Sequence, residues 1–155
     1  MQVSDILRVK GGTLFTVQPD EPLSLAMNDM ADKDIGSLVV MAQGQLVGML
    51  TFREVIQQIV KNGGQVGLTT VREAMDAQPQ TCTGGTDIDE VRRMMLEHHA
   101  RYMPVMDGPL LMGVISFYDV AKAVVDSQNF ENTMLKAYIR DWPGQEAGTA
   151  DPSPP

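Results

Sequence analysis

Gly48-Met49-Leu50-Thr51-Phe52-Arg53-Glu54-Val55 and Gly113-Val114-Ile115-Ser116-Phe117-Tyr118-Asp119-Val120 align without a gap at an offset of 65. The offset carries upstream. Leu38-Val39-Val40 falls on Met103-Pro104-Val105, Met30 on Met95, Leu23 on Ile88, and Thr16-Val17 on Thr81-Cys82. Val3-Ser4-Asp5-Ile6-Leu7 resembles Val71-Arg72-Glu73-Ala74-Met75 at an offset of 68, so the first copy carries three extra residues, where Lys10-Gly11-Gly12 sits. Self-similarity at a fixed period marks a repeated structural unit.

Each copy reads as the same string of elements. Leu14 to Val17 is a short β-prone run closed by Pro19. Leu23, Ala26, Met27 and Met30 share one face of a helix predicted over 22–32, with Pro22 suited to its first turn. Ser37 to Met41 is a continuous apolar run, as expected of a buried strand, and Gln43-Gly44 turns the chain into a second strand, Leu46 to Leu50. Thr51 caps a helix to about Lys61, and Asn62-Gly63-Gly64 ends it. In the second copy, Thr86-Asp87-Ile88-Asp89 reads as a capping box, with Ile88, Val91, Met94 and Met95 as the buried face. Tyr102 to Met106 and Leu110 to Ile115 are strands joined by Asp107-Gly108-Pro109, and Ser116 caps a long helix that Trp142-Pro143 stops. The boundaries are repeat 1 at 1–64, repeat 2 at 65–140 and a disordered Pro/Gly-rich tail at 141–155. A β-α-β-β-α unit of about 60 residues buries little core alone. The predicted fold class is α+β, with two such units packed in pseudo-two-fold fashion, sheet against sheet, helices outside.

Twenty Asp and Glu against twelve Lys and Arg give a net charge of −8, which argues against nucleic acid or an anionic membrane as partner. No apolar run approaches the ~18 residues of a membrane span. The opening Met1-Gln2-Val3-Ser4-Asp5 has neither a basic n-region nor an apolar h-region, so no secretion signal is expected and the cytoplasm is the default compartment. One cysteine, Cys82, can make neither an internal disulfide nor a cysteine-based zinc site. It aligns with Val17 and reads as a small buried hydrophobe. His98-His99 ends a helix, and adjacent histidines diverge by about 100°, so no metal site is expected there.

The shared octapeptide also has chemical content. A glycine inside a strand permits close approach of a ligand or of another backbone, and Gly48 and Gly113 hold that position. Ser116 at a helix start can satisfy a backbone N–H or offer its hydroxyl to a ligand, and Asp119 lies on the same face one turn on. That carboxylate can accept both hydrogen bonds of a ribose diol, while the helix N-terminus favours phosphate. A capping box and nothing more is the other reading of Ser116 and Asp119. Glu54 in the first copy carries an extra methylene, a shift of roughly 1.5 Å that spoils a bidentate ribose contact. Its alternative is a capping residue on a vestigial site.

These residues resemble the tandem cystathionine-β-synthase-type (CBS) domain pair, or Bateman module, whose mark is G-h-h-[ST]-x-x-D-h with h apolar. Gly113 to Val120 matches throughout, and Gly48 to Val55 except at Glu54. The resemblance covers roughly Val3 to Ile139. Arg101-Tyr102-Met103-Pro104-Val105 and Gly113-Val114-Ile115-Ser116 look like the stand-alone bacterial subgroup, whose pattern is R-H-L-P-V and then G-V-V-S-I-G-D-V-V-K, with Tyr102 in place of His. The resemblance implies that a site anchored by one repeat's Asp is completed by the other repeat's lead-in segment and the start of its middle strand. Carried over, these are Lys10, Gly12 and Phe15, then Ile35, Gly36 and Ser37. Backbone near Phe15 and Ser37 would read the adenine edge, Ile35 and Val114 would sandwich the ring, and Lys10 and Arg101 would hold phosphate. Thr51, Glu54 and Gln80 form the corresponding weaker set.

The resemblance implies a regulatory, non-enzymatic module that binds AMP, ADP, ATP or an NAD/NADH-type dinucleotide, senses energy or redox state, and signals to an unknown effector protein. The alternative is an interaction and dimerisation scaffold with vestigial sites. An enzyme is a third reading, but no base stands beside Ser116 and Asp119 to activate a nucleophile. A homodimer is expected through two helical faces, Val55, Ile56, Ile59 and Val60 on one and Val120, Val124 and Val125 on the other.

Overall fold

The computed structural model describes residues 1–140. The expected tail at 141–155 and the Trp142-Pro143 stop lie outside them. Residues Met1–Val120 form one compact unit, and a second begins at Ala121. In chain order the elements are α1 Val3–Lys10, β1 Thr16–Val17, α2 Leu23–Lys33, β2 Ser37–Ala42, β3 Gln45–Thr51, α3 Phe52–Lys61, α4 Val71–Ala74, β4 Cys82–Thr83, α5 Ile88–His98, β5 Tyr102–Asp107, β6 Leu110–Ser116 and α6 Phe117–Arg140. The first turn of α6 belongs to the first unit, and the rest of its length to the second.

Two three-stranded sheets result, ordered β1-β2-β3 and β4-β5-β6, each with one parallel and one antiparallel pairing. The copies share their irregularities. A register shift falls between Val40 and Met41 and again between Val105 and Met106, beside the pairs Val40–Gly48 and Val105–Gly113. Helices α2 and α5 end on left-handed Asp34 and His99, both at φ 51°, and each stop is sealed from within: Ile35 N–H donates to Met30 O and Ala100 N–H to Met95 O, both at 3.0 Å. The hairpin turns differ. Gln43 and Gly44 both take positive φ, as in a type I′ turn, whereas only Gly108 does in the second copy, where Pro109 follows.

The lead-in helices cross over. Val3 N–H donates to Thr86 O and Ser4 N–H to Gly84 O, so α1 of the first copy is stitched to the second. Val71 N–H donates to Glu21 O and Arg72 N–H to Pro19 O, the equivalent bonds made by α4 on the first copy. The first core follows: Val17, Leu23, Ala26, Met30, Leu38, Val40, Leu50 and Val55 are completed by Val71 and Ala74 of α4. Neither copy buries its own apolar faces alone.

Two local expectations are corrected. Pro22 is the N-cap of α2 and lies one residue before its first turn. Asp87, not Thr86, is the N-cap of α5, because the Thr86 hydroxyl is bonded into its own loop, accepting the Thr83 N–H at 3.0 Å. Gly48 and Gly113 permit close approach, of a backbone at the first and of a side chain at the second: a Cβ on Gly48 would stand 2.7 Å from the Asp76 carbonyl oxygen, and one on Gly113 2.9 Å from Leu7 Cδ2. Cys82 is buried as expected, and burial pushes its thiol up to about 11.

Candidate functional site

The crossing of α1 over β6 brings two distant charges together. Leu7 settles on Gly113, and one turn further Lys10 reaches the start of α6. Its Nζ donates to Asp119 Oδ2 at 2.7 Å and to the Val114 carbonyl at 2.9 Å. Ser116 N–H donates to the same Oδ2 at 2.8 Å, and Asp119 N–H donates back to Ser116 Oγ at 3.1 Å. The capping box is therefore real, and it aims the carboxylate at a cation from the other copy. Burial pushes the Asp119 carboxyl up, but the Lys10 ammonium and the Ser116 donors outweigh it and hold the group below its usual range. Asp119 thus presents a fixed anion whose side chain is 17% exposed, against 38% for Lys10.

At the equivalent place in the first copy, Thr51 N–H and Thr51 Oγ1 both donate to Glu54 Oε1, at 3.0 and 2.8 Å. Arg53 Nε donates to Oε2 at 3.3 Å, so both carboxylate oxygens are engaged. Glu54 is 7% exposed, which makes it a buried acid satisfied by its own helix start. Beside it opens a cleft of about 740 Å³ that holds Thr51, Glu54 and Gln80 together with His99, Arg101 and Tyr102.

The other expected residues are placed as follows. Gly12 stands in open space. Phe15 and Ile35 pack against the first core, and the Phe15 carbonyl accepts the Val39 N–H at 3.0 Å. Ser37 opens β2 opposite Thr51. Gly36 faces the Tyr102 ring, and a Cβ there would fall on the Tyr102 hydroxyl. Arg101 requires a correction, because it lines the cleft of Glu54 rather than joining Lys10. At the offset of 65 it is the counterpart of Gly36. Arg101 of the second copy thus stands in one cleft with Glu54 of the first. Tyr102 and Arg53 also line this cleft, though neither is among the site residues expected from the sequence. Tyr102 stands where the resembling subgroup has His, and Arg53 lies at a position that the octapeptide leaves unspecified. Among the described residues no group of three or more His, Cys, Asp or Glu is placed to hold a metal ion.

The CBS domain model matches residues 3–61 and again residues 71–126. The chain belongs to this family. This CBS pair is 28% identical over 147 residues to the mitochondrial CBS domain-containing protein CBSX3 of Arabidopsis thaliana, covering 89% of this chain and 71% of that one. It is 30% identical to the CBS-domain containing protein ATU1752 of Agrobacterium tumefaciens, whose crystal structure superposes with a TM-score of 0.75 over 79% of this chain and 98% of that one. The fold is also that of CBSX2, solved in complex with AMP, at a TM-score of 0.64 and 24% identity over 82% of this chain and 98% of that one. No helix among the described residues of this CBS pair is long and apolar enough to cross a membrane.

Proposed function

We propose that this CBS pair is a regulatory module that binds an adenosine-containing ligand beside Asp119 and passes its occupancy to a partner protein. The observation that supports it is the joining of Asp119, Ser116 and Lys10 across the two copies. A ribose diol needs an ionised acceptor, which Asp119 supplies; a phosphate is favoured by a cation and by the positive end of a helix dipole, which Lys10 and the start of α6 supply. The AMP complex of CBSX2 is in keeping with this chemistry. AMP, ADP, ATP and NAD-type dinucleotides share both handles. The module is read as a sensor of energy or redox state and not as an enzyme. At Glu54, where both oxygens are satisfied internally, the vestigial-site reading is the better one.

A thermal-shift series with AMP, ADP, ATP, NAD and NADH tests the reading. A ligand at about 100 times its dissociation constant should add about 2.7 kcal/mol of stability. A flat response across the series would leave the scaffold reading in its place.

The dimer expectation rests on α3. Val55 and Val120 do not belong to the exposed faces first assigned to them, since both are buried core. The exposed apolar residues of α3 are Phe52, Ile56 and Val60, at i, i+4 and i+8, which makes one continuous outward stripe. We assign a second copy of the chain to that stripe. Sedimentation equilibrium should give a dimer in the micromolar range, and Ile56→Asp should shift it to monomer. A wild-type monomer at high concentration would refute the assignment.

A further inference from the structure

We propose that Lys10 is a built-in competitor for the Asp119 carboxylate: it occupies the oxygen a ribose diol would use, and it releases that oxygen in favour of a ligand carrying phosphate. The inference rests on the reading that the ligand binds beside Asp119. Both Lys10 Nζ and Ser116 N–H converge on Oδ2, and no described residue donates a hydrogen bond to Oδ1. A diol that takes both carboxylate oxygens must therefore dislodge or share Lys10.

The local structure allows that movement. The first half of α1 is fixed, with Val3 and Ile6 buried and the Val3 and Ser4 N–H groups bonded to the second copy. Its last turn is not fixed in this way. Val9 is 87% exposed, and the long-range bonds of Lys10 are those of its Nζ to Asp119 and Val114. Gly11 follows at φ 87°, a conformation that suits glycine, and neither Gly11 nor Gly12 has an atom within 4 Å of where a Cβ would stand. Lys10 is therefore the C-terminal residue of an anchored helix, set before a loose glycine pair and held at its tip by one ion pair and one bond to the Val114 carbonyl. A phosphate arriving next to Asp119 offers the ammonium a second anion within reach of the same side chain. A nucleoside offers none, so it competes with Lys10 without recompense. The device makes the site discriminate by phosphate before any contact to the base is considered.

Lys10→Met keeps the length of the side chain and removes its charge. By calorimetry, adenosine should bind this variant roughly two- to fivefold more tightly than wild type, because a partly exposed ion pair no longer has to be broken. AMP should bind roughly tenfold more weakly, because its phosphate loses a charged donor. Opposite signs for the two ligands are the signature. Adenosine binding that is unchanged or weaker in Lys10→Met would overturn the proposal. A second measurement needs no ligand. Amide hydrogen exchange of residues 8–12 should speed up in both Lys10→Met and Asp119→Asn, and identical exchange in all three proteins would show that the ion pair holds nothing. If exchange responds but neither adenosine nor AMP binds any form, the proposed ligand class falls and the competition falls with it, leaving Lys10 as a structural clasp.

Discussion

Asp119→Ala is expected to weaken AMP by about ten- to hundredfold, the loss of a charged hydrogen-bond acceptor worth roughly 1.5–3 kcal/mol. The lower end is expected if Lys10, released from its partner, leans further on the phosphate and recovers part of the loss. Fold stability should fall less, since the ion pair is partly exposed and the Ser116 hydroxyl still accepts the N–H of residue 119. Glu54→Ala should show the reverse. Its carboxylate is buried and bonded to Thr51 and Arg53, so its removal should cost about 1–2 kcal/mol of stability through the lost cap. AMP affinity should then barely change. Calorimetry and chemical denaturation on the two variants decide the matter. Comparable losses of AMP binding would show that Glu54 serves a ligand as Asp119 does, and that the internal saturation of its oxygens is broken on binding.

The repeat and its elements were legible because periodicity is local. The offset of 65 located the sheet strands and the helices α2, α3, α5 and α6 to within a few residues, while the lead-in helices α1 and α4 showed only as a resemblance at an offset of 68; the offset of 65 relates equally the shared bulges and the paired left-handed caps at Asp34 and His99. What the sequence hid is the identity of neighbours. An in-strand glycine announces that something comes close, and only the crossing of α1 and α4 shows that the approaching group is Leu7 in one copy and the Asp76 carbonyl in the other. Arg101 was drawn to Asp119 because a basic residue in an acidic chain invites a phosphate. The structure sets it instead in the cleft beside Glu54. Val55 and Val120 are expected on outward helical faces rich in Val and Ile, and both are buried. In α3 the choice was settled by Phe52, Ile56 and Val60, which share a stripe that Val55 does not. The sequence sets Lys10 at the Asp119 site as a cation for phosphate, and the structure adds the direct ion pair between the two, 109 residues apart.

Gly48→Ala is expected to destabilise the fold by about 1–3 kcal/mol, the usual cost of overfilling a packed site, while Gly113→Ala costs about 1 kcal/mol or less. Neither glycine has a backbone conformation that excludes alanine, so space alone decides. At Gly48 the new methyl meets the Asp76 carbonyl oxygen at 2.7 Å and Met75 Sδ at 2.8 Å. The sulfur can swing away. The carbonyl cannot, because it accepts the Met49 N–H at 2.9 Å while Asp76 N–H donates to Met49 O at the same distance. Moving it breaks a two-bond bridge that ties the segment after α4 to the edge of β3. Alanine would by itself gain roughly 0.4–1 kcal/mol by restricting the unfolded chain, and the clash exceeds that gain. At Gly113 the obstacle is the end of the Leu7 side chain, which can change rotamer without touching a backbone bond. Denaturant melts of the two variants, compared at equal m-value, give the ordering. Equal losses would mean that Leu7 is as firmly held as a bridged carbonyl, and that α1 is more rigid over β6 than the release of Lys10 allows.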